Sequence, residues 1–212
     1  KKRYKTCSFR PIDGEERDRG CSKETVIRQG CGTLDTITGE SMKTQKVSAD
    51  YIFVTGAARF RDLVYLCVQD KELCKDDVVH SRLVAFDQGE LAPAGDVTNW
   101  NTAAMCVVKK PKEKMIAISE DGDVLTYVGG SVKEEVIKPK PTVLRGMGVV
   151  DGYAVVCGMK RQVYKRTGEN SWTAMHAPAP AAKENAGFED ICGFSEKEMY
   201  AAGWEGEIWE WD

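Results

Sequence analysis

A chain of 212 residues, 42% apolar and 30% charged, has the composition of an ordered globular protein with room for one sizeable core. Its formal net charge is −3 and its Lys and Arg are dispersed among Asp and Glu, which argues against a nucleic-acid binder. No run reaches the roughly 18 apolar residues of a membrane span, so no membrane segment is expected, although a start at Lys1 leaves a removed leader open; a cytoplasmic setting is read from the cysteines, four of which sit in apolar strand runs as reduced thiols would.

Residues Lys1 to Phe9 alternate polar and apolar side chains and read as a lone strand without a neighbour in sequence. The stretch 11–50 is polar, carries Gly14, Gly20, Gly30, Gly32 and Gly39, and alternates only briefly at Thr25 to Ile27 and Leu34 to Thr38. Four strands follow over 51–97: YIFVTG, DLVYLCVQ, RLVAFDQ and ELAPAGDV. Between the second and third lies Asp70 to Ser81 (DKELCKDDVVHS), an insertion where later units have a turn of about three residues. Residues 103–138 (AMCVVKK, MIAIS, DVLTYVGG, VKEEVIK) and 142–176 (RGMGVV, YAVVCG, QVYKR, SWTAMHA) repeat the pattern. A connector, APAPAA at Ala177 to Ala182, has a polyproline-like composition. The last stretch, 187–212, gives three strands and a tight Trp-Glu-Gly turn at Trp204 to Gly206. No sustained 3.6-residue period occurs, and the chain reads as all-β.

The middle strands begin at Met115, Tyr153 and Met199, 38 and 46 residues apart. A period near 40 residues with four strands per unit is the signature of propeller blades. Those strands are apolar on both faces (Met115 and Ala117 against Ile116 and Ile118; Tyr153 and Val155 against Ala154 and Val156), so each sheet must be covered twice, which stacking achieves. The innermost strands would be Met105 to Val108, Gly146 to Val150 and Ile191 to Phe194, with Cys106, Gly148 and Cys192 in equivalent places near a crowded axis. The expected fold is a single β-propeller domain over 1–212 with about four to five four-stranded blades. Its parts are a closing strand (1–10), an irregular segment or degenerate blade (11–50), and blades at 51–97, 103–138, 142–176 and 187–212. Because the last unit has three strands, the N-terminal strand is expected to pair beside Ile208 to Trp211 and close the ring. The competing reading is a chain that simply stops early.

Signals of chemistry are sparse. VTGAAR at Val54 to Arg59 opens like a nucleotide fingerprint but lacks its later glycines and a following helix, so it reads as a strand and turn. The two histidines, His80 and His176, leave few candidates for acid/base or nucleophilic catalysis. Cys74, Asp76, Asp77 and His80 match no standard zinc spacing and read as a solvated loop. SEDG at Ser119 to Gly122 is similar to the Asp-box turn of sialidases, without its spaced Gly and Trp. No cofactor and no metal are expected, and an enzyme is not. Cys67, Cys106, Cys157 and Cys192 fall in apolar strands and are read as reduced, packed thiols; disulfides are entertained only for Cys7, Cys21 and Cys31. Trp209 and Trp211 share one face of their strand and are read as packing between blades.

The phrases ISEDGDVLTY, CGMKRQVYKR and GWEGEIWEWD resemble the loose bacterial class of WD-repeat or BNR-like propellers and, less closely, photosystem assembly factors. Within that class, MGVVDGYAVVCGMKRQVYKR and GFEDICGFSEKEMYAAGWEGEIWEWD are similar to immunity partners of secreted antibacterial toxins. The resemblance implies a non-catalytic protein that binds a cognate toxin, and it maps no motif onto individual residues. In a propeller, the loops after the second strand of each blade and the connections between blades emerge at one end. That end would collect the insertion, charges of both signs and two turn-region tryptophans, as suits an interface. The candidate partner-binding residues are Lys71, Glu72, Asp76, Asp77, His80, Trp100, Asp121, Lys160, Arg161, Trp204 and Glu205. Two other readings stay open: a glycan-active enzyme with an acidic axial pocket, where Glu189 and Asp190 are the available carboxylates, and an assembly scaffold.

Overall fold

A computed structural model describes residues 9–11, 50–175 and 186–211, all within one compact unit. Sixteen strands, one short α-helix and a three-residue 3-10 turn (Trp204–Gly206) are laid out in chain order among them: β1 is Phe9–Pro11, a three-residue strand. The first blade holds β2 (Tyr51–Phe60), β3 (Leu63–Asp70), the helix α1 (Lys71–Lys75), β4 (Ser81–Asp87) and β5 (Glu90–Thr98). The second holds β6 (Thr102–Val108), β7 (Lys114–Ser119), β8 (Asp123–Val128) and β9 (Ser131–Val136). The third holds β10 (Leu144–Val150), β11 (Tyr153–Gly158), β12 (Gln162–Gly168) and β13 (Ser171–Ala174). The fourth holds β14 (Phe188–Ser195), β15 (Glu198–Gly203) and β16 (Ile208–Trp211). Each blade is a four-stranded antiparallel sheet, and β1 is the outer strand of the fourth.

That last pairing sets Phe9 opposite Trp211, Arg10 opposite Glu210 and Pro11 opposite Trp209. The N-terminal segment therefore does pair beside Ile208–Trp211, starting at the end of the stretch expected to do so. The rest of that stretch, the segment 12–49, the proline-rich connector, His176 and the cysteines at 7, 21 and 31 lie outside the described residues.

Blades stack by their inner strands, β2 on β6, β6 on β10 and β10 on β14. Among the described residues no comparable contact joins β14 back to β2. Alternation along each strand feeds one set of side chains to each seam. Tyr65, Cys67 and Leu83 of the first blade meet Met105, Met115, Ala117 and Leu125 of the second, with the Tyr65 and Tyr127 rings edge to face at 5.4 Å. Cys106, Ile116, Ile118 and Val124 then meet Leu144, Ala154, Val156 and Tyr164. In the last seam Val150, Val155, Cys157 and Val163 meet Phe188, Ile191, Met199, Ala201 and Trp211, and Trp209 packs on the same cluster. Trp209 and Trp211 thus serve the seam, as their shared strand face implied.

The seam between blades three and four is close enough to require glycine. A Cβ on Gly148 would overlap the carbonyl oxygen of Ile191, and one on Gly146 would overlap that of Glu189. Cys106 is buried in its seam, as are Cys67 and Cys157. Burial pushes the thiols of Cys106 and Cys157 up to about 12, so both are held protonated. Cys192 departs from the expectation of a packed thiol: it is exposed. It pairs with Tyr200 on the face of the fourth blade turned away from the third, where no further sheet lies among the described residues.

A charged pair crosses the middle seam. Arg166 of β12 donates to both carboxylate oxygens of Glu135 on β9, at 3.0 and 2.6 Å, and both side chains are essentially unexposed. Lys114 is buried nearby, and desolvation, followed by repulsion from Arg166, lowers its pKa.

Candidate functional site: the insertion-bearing end

Strand direction fixes what emerges together. The register places the end of β3 beside the start of β2, and the end of β7 beside the start of β6. The loops that follow the second strand of each blade therefore share one end with the connections between blades. The opposite end has short turns such as Asp151–Gly152, where Gly152 has φ +84° and Asp151 φ +48°.

The insertion of the first blade is ordered by its own bonds. The helix α1 is a single turn carrying a Glu72–Lys75 pair at 2.7 Å. Asp76 and Val78 donate backbone N–H bonds to Leu73, and Lys71 donates to Asp50. Lys71, Glu72, Asp76 and Asp77 face solvent, and Val78 and Val79 are exposed apolar side chains beside them. His80 does not join them. It is 1% exposed, which corrects its reading as a partner-facing residue. Both ring nitrogens are engaged internally, Nε2 by the Asp70 N–H at 2.8 Å and Nδ1 with the Val78 carbonyl at 2.7 Å.

Three elements meet in a cleft of about 500 Å³ at this end. Val79 comes from the insertion, Asn99 and Trp100 from the connection into the second blade, and Glu120, Asp121 and Asp123 from the turn after β7. Trp100 is half-buried and fixed through its carbonyl, which accepts the Thr98 hydroxyl at 2.8 Å. Ser119 shapes the acidic turn: its Oγ accepts the N–H groups of Asp121 and Asp123 and donates to the Asp123 carboxylate. Lys140 and Arg145 stand 3.6 Å from Asp121 and Glu120. The wall is thus an aromatic ring and carboxylates, with an exposed Lys140 and a half-buried Arg145 as counter-cations.

The third and fourth blades contribute two further turns. In Met159 to Gln162 both central residues have positive φ, Lys160 at +57° and Arg161 at +55°, the backbone of a type I′ turn normally given to Asn-Gly. A left-handed conformation costs a residue with a Cβ about 1 kcal/mol or more. The turn persists because Arg161 donates to both Glu207 oxygens at 2.9 and 2.5 Å and lies 4.8 Å above the Trp209 ring, while the Lys160 N–H donates to Ala186. Arg161 is therefore a structural clamp, and Lys160 is the side chain presented to solvent. Trp204 is 40% exposed, with its indole N–H donating to Glu189. Glu205 beside it has φ +62°. Glu189 is thus engaged by an indole, and the Asp190 carboxylate caps the Ile191 N–H at 2.8 Å. Both carboxylates available to an axial acidic pocket are thus engaged by neighbouring N–H groups.

Apart from His80 and Arg161, the candidate residues lie at the surface of this one end, and the cleft joins Trp100 and Asp121 to the insertion. Sequence reading missed the Arg161–Glu207 clamp, whose members are 46 residues apart. Two adjacent non-glycine residues at a two-residue hairpin turn were its one visible signal. Among the described residues no group of three His, Cys, Asp or Glu side chains is placed to hold a metal ion.

The chain is similar to an immune protein. It is 35% identical over 180 residues to the immune protein Tsi7 of Pseudomonas aeruginosa strain PAO1, a match covering 79% of this chain and 59% of that protein. The chain thus spans about three-fifths of the length of the curated relative it matches. Among solved structures, luciferin-regenerating enzyme superposes with a TM-score of 0.50 at 11% identity, covering 76% of this chain and 61% of that one, a likeness of fold alone. The WD40 β-propeller domain of Doa1 gives 0.47 at 12% identity, covering 72% and 62%. No protein-family model matches the chain.

Proposed function

We propose that this protein is a cytoplasmic bacterial immunity protein that binds a cognate toxin with its insertion-bearing end and neutralises it by occlusion, without chemistry of its own. The similarity to an immune protein supports the class of function. The observation that carries the choice of surface is the convergence of the insertion, Trp100 and the acidic turn on one cleft, on the end that also presents Lys160 and Trp204. Aromatic anchors inside a rim of both charges suit a specific protein interface better than a small-molecule pocket. The repeat's resemblance to WD-repeat or BNR-like propellers, and closure of the ring through the N-terminal strand, belong to the same proposal.

The test is co-expression of the tagged chain with the protein encoded beside it. A stoichiometric complex that suppresses the neighbour's toxicity is expected. A toxic neighbour that neither binds nor is silenced contradicts the proposal.

A further inference from the structure

His80 sits at the root of the insertion, where β4 is about to begin. Its Nε2 receives the backbone N–H of Asp70, and its Nδ1 lies 2.7 Å from the carbonyl oxygen of Val78. An N–H can only donate and a carbonyl can only accept, so the ring must be neutral with its proton on Nδ1. In that state one buried side chain ties the residue that enters the insertion to the residue that leaves it. Its own carbonyl adds a third tie by accepting the Gln69 amide at 3.3 Å.

A second proton can be placed only on Nε2, where it would meet the Asp70 N–H head on. The Asp70 carboxylate offers the alternative acceptor, with Oδ2 at 3.9 Å from Nε2. That oxygen is already held by Arg82, through Nη2 at 3.0 Å and Nε at 3.2 Å. Asp70 on β3 is the charged group at the ring and is itself paired with Arg82 on β4, while Lys71, Glu72, Lys75, Asp76 and Asp77 of the insertion are exposed to solvent.

We propose that His80 is a proton-operated latch: neutral, it fastens the insertion; protonated, it trades the Asp70 amide for the Asp70 carboxylate and releases the loop. Imidazole is the side chain suited to such a switch, since gaining one proton turns its acceptor nitrogen into a donor. No bond is made or broken beyond the proton taken from water. The functional meaning rests on the proposed function, since the loop freed is part of the proposed toxin-binding end.

The test needs no partner, so its failure is separate from a failure of toxin binding. The full chain, labelled with 15N, is titrated by NMR from about pH 7.5 to about pH 5. The Nδ1–H tautomer is expected at the upper limit. On acidification the Asp70 and Val78 amides should shift in one step with the His80 ring, and amides 71–79 should lose about tenfold in exchange protection relative to β7. His80→Gln should remove the step and His176→Gln should leave it. An Nε2–H tautomer, a ring that stays neutral throughout, or a loop that keeps its protection while the ring charges would each overturn the latch, and all three are read on the unmodified chain.

Discussion

Two arginines of the third blade make the same two-pronged bond to a glutamate, and the surroundings give the bonds different work. Arg166 meets Glu135 inside the seam with the second blade, where neither side chain reaches water. Arg161 meets Glu207 at the insertion-bearing end, where the side chains keep 14% and 27% of their exposure and the clamp holds a turn whose backbone is strained. The seam cannot lose a partner without leaving a charge stranded in a low dielectric. The turn can lose its clamp and relax into solvent. Stability is therefore concentrated between blades, and the insertion-bearing end can carry a strained turn without loss to the seams.

The largest expected effect breaks the seam. Glu135→Ala strands Arg166 and should destabilise the protein by about 3–5 kcal/mol in chemical denaturation. Gly148→Val drives a side chain into the Ile191 carbonyl, and should cost about 3 kcal/mol by the same measurement. At the other region the sign reverses. Lys160→Gly removes a Cβ from a left-handed residue, so it should stabilise the chain by about 1 kcal/mol while weakening toxin binding. A Lys160→Gly protein that is less stable would show that the turn is not strained as described.

The smallest effect is chemical. With the thiols of Cys106 and Cys157 raised to about 12 from 9.0, the folded state holds them protonated where the unfolded chain would ionise. Their contribution to stability is whole below pH 9.0 and declines as pH rises toward 12. In native alkylation at mildly alkaline pH, Cys192 should react and Cys106 and Cys157 should not; labelling of the two buried thiols at the rate of Cys192 would contradict the seams.

The blades were legible because their evidence is local: alternation within a strand, glycine at turns, and a recurring middle strand near 40 residues. Even the pairing of the N-terminal strand with β16 could be anticipated from a count of strands in the last unit. What depended on a second, distant strand was not legible. Glu135 lies in a run of charges that reads as a solvated outer strand, and only its meeting with Arg166, 31 residues on, makes it interior. His80 reads as part of an acidic loop, yet the register that places Ser81 beside Thr98 turns its ring under that loop. Cys192 failed in the other direction. Its strand is apolar enough to be buried, but its face is turned away from the third blade. At the candidate site, sequence located the loops and their common end, whereas the cleft and the Arg161 clamp come from how those loops pack.

The most direct measurement is calorimetric titration of the protein encoded beside this one, the proposed toxin, against the wild type, a Trp100→Ala/Trp204→Ala variant and an Asp76→Lys/Asp77→Lys variant, with thermal melts as the control for folding. Tight wild-type binding is expected to fall by at least about 2 kcal/mol in the tryptophan variant, and by less in the charge variant, with every variant still folded at the titration temperature. Equal binding by all three proteins would contradict the assignment of the insertion-bearing end as the surface that recognises the toxin.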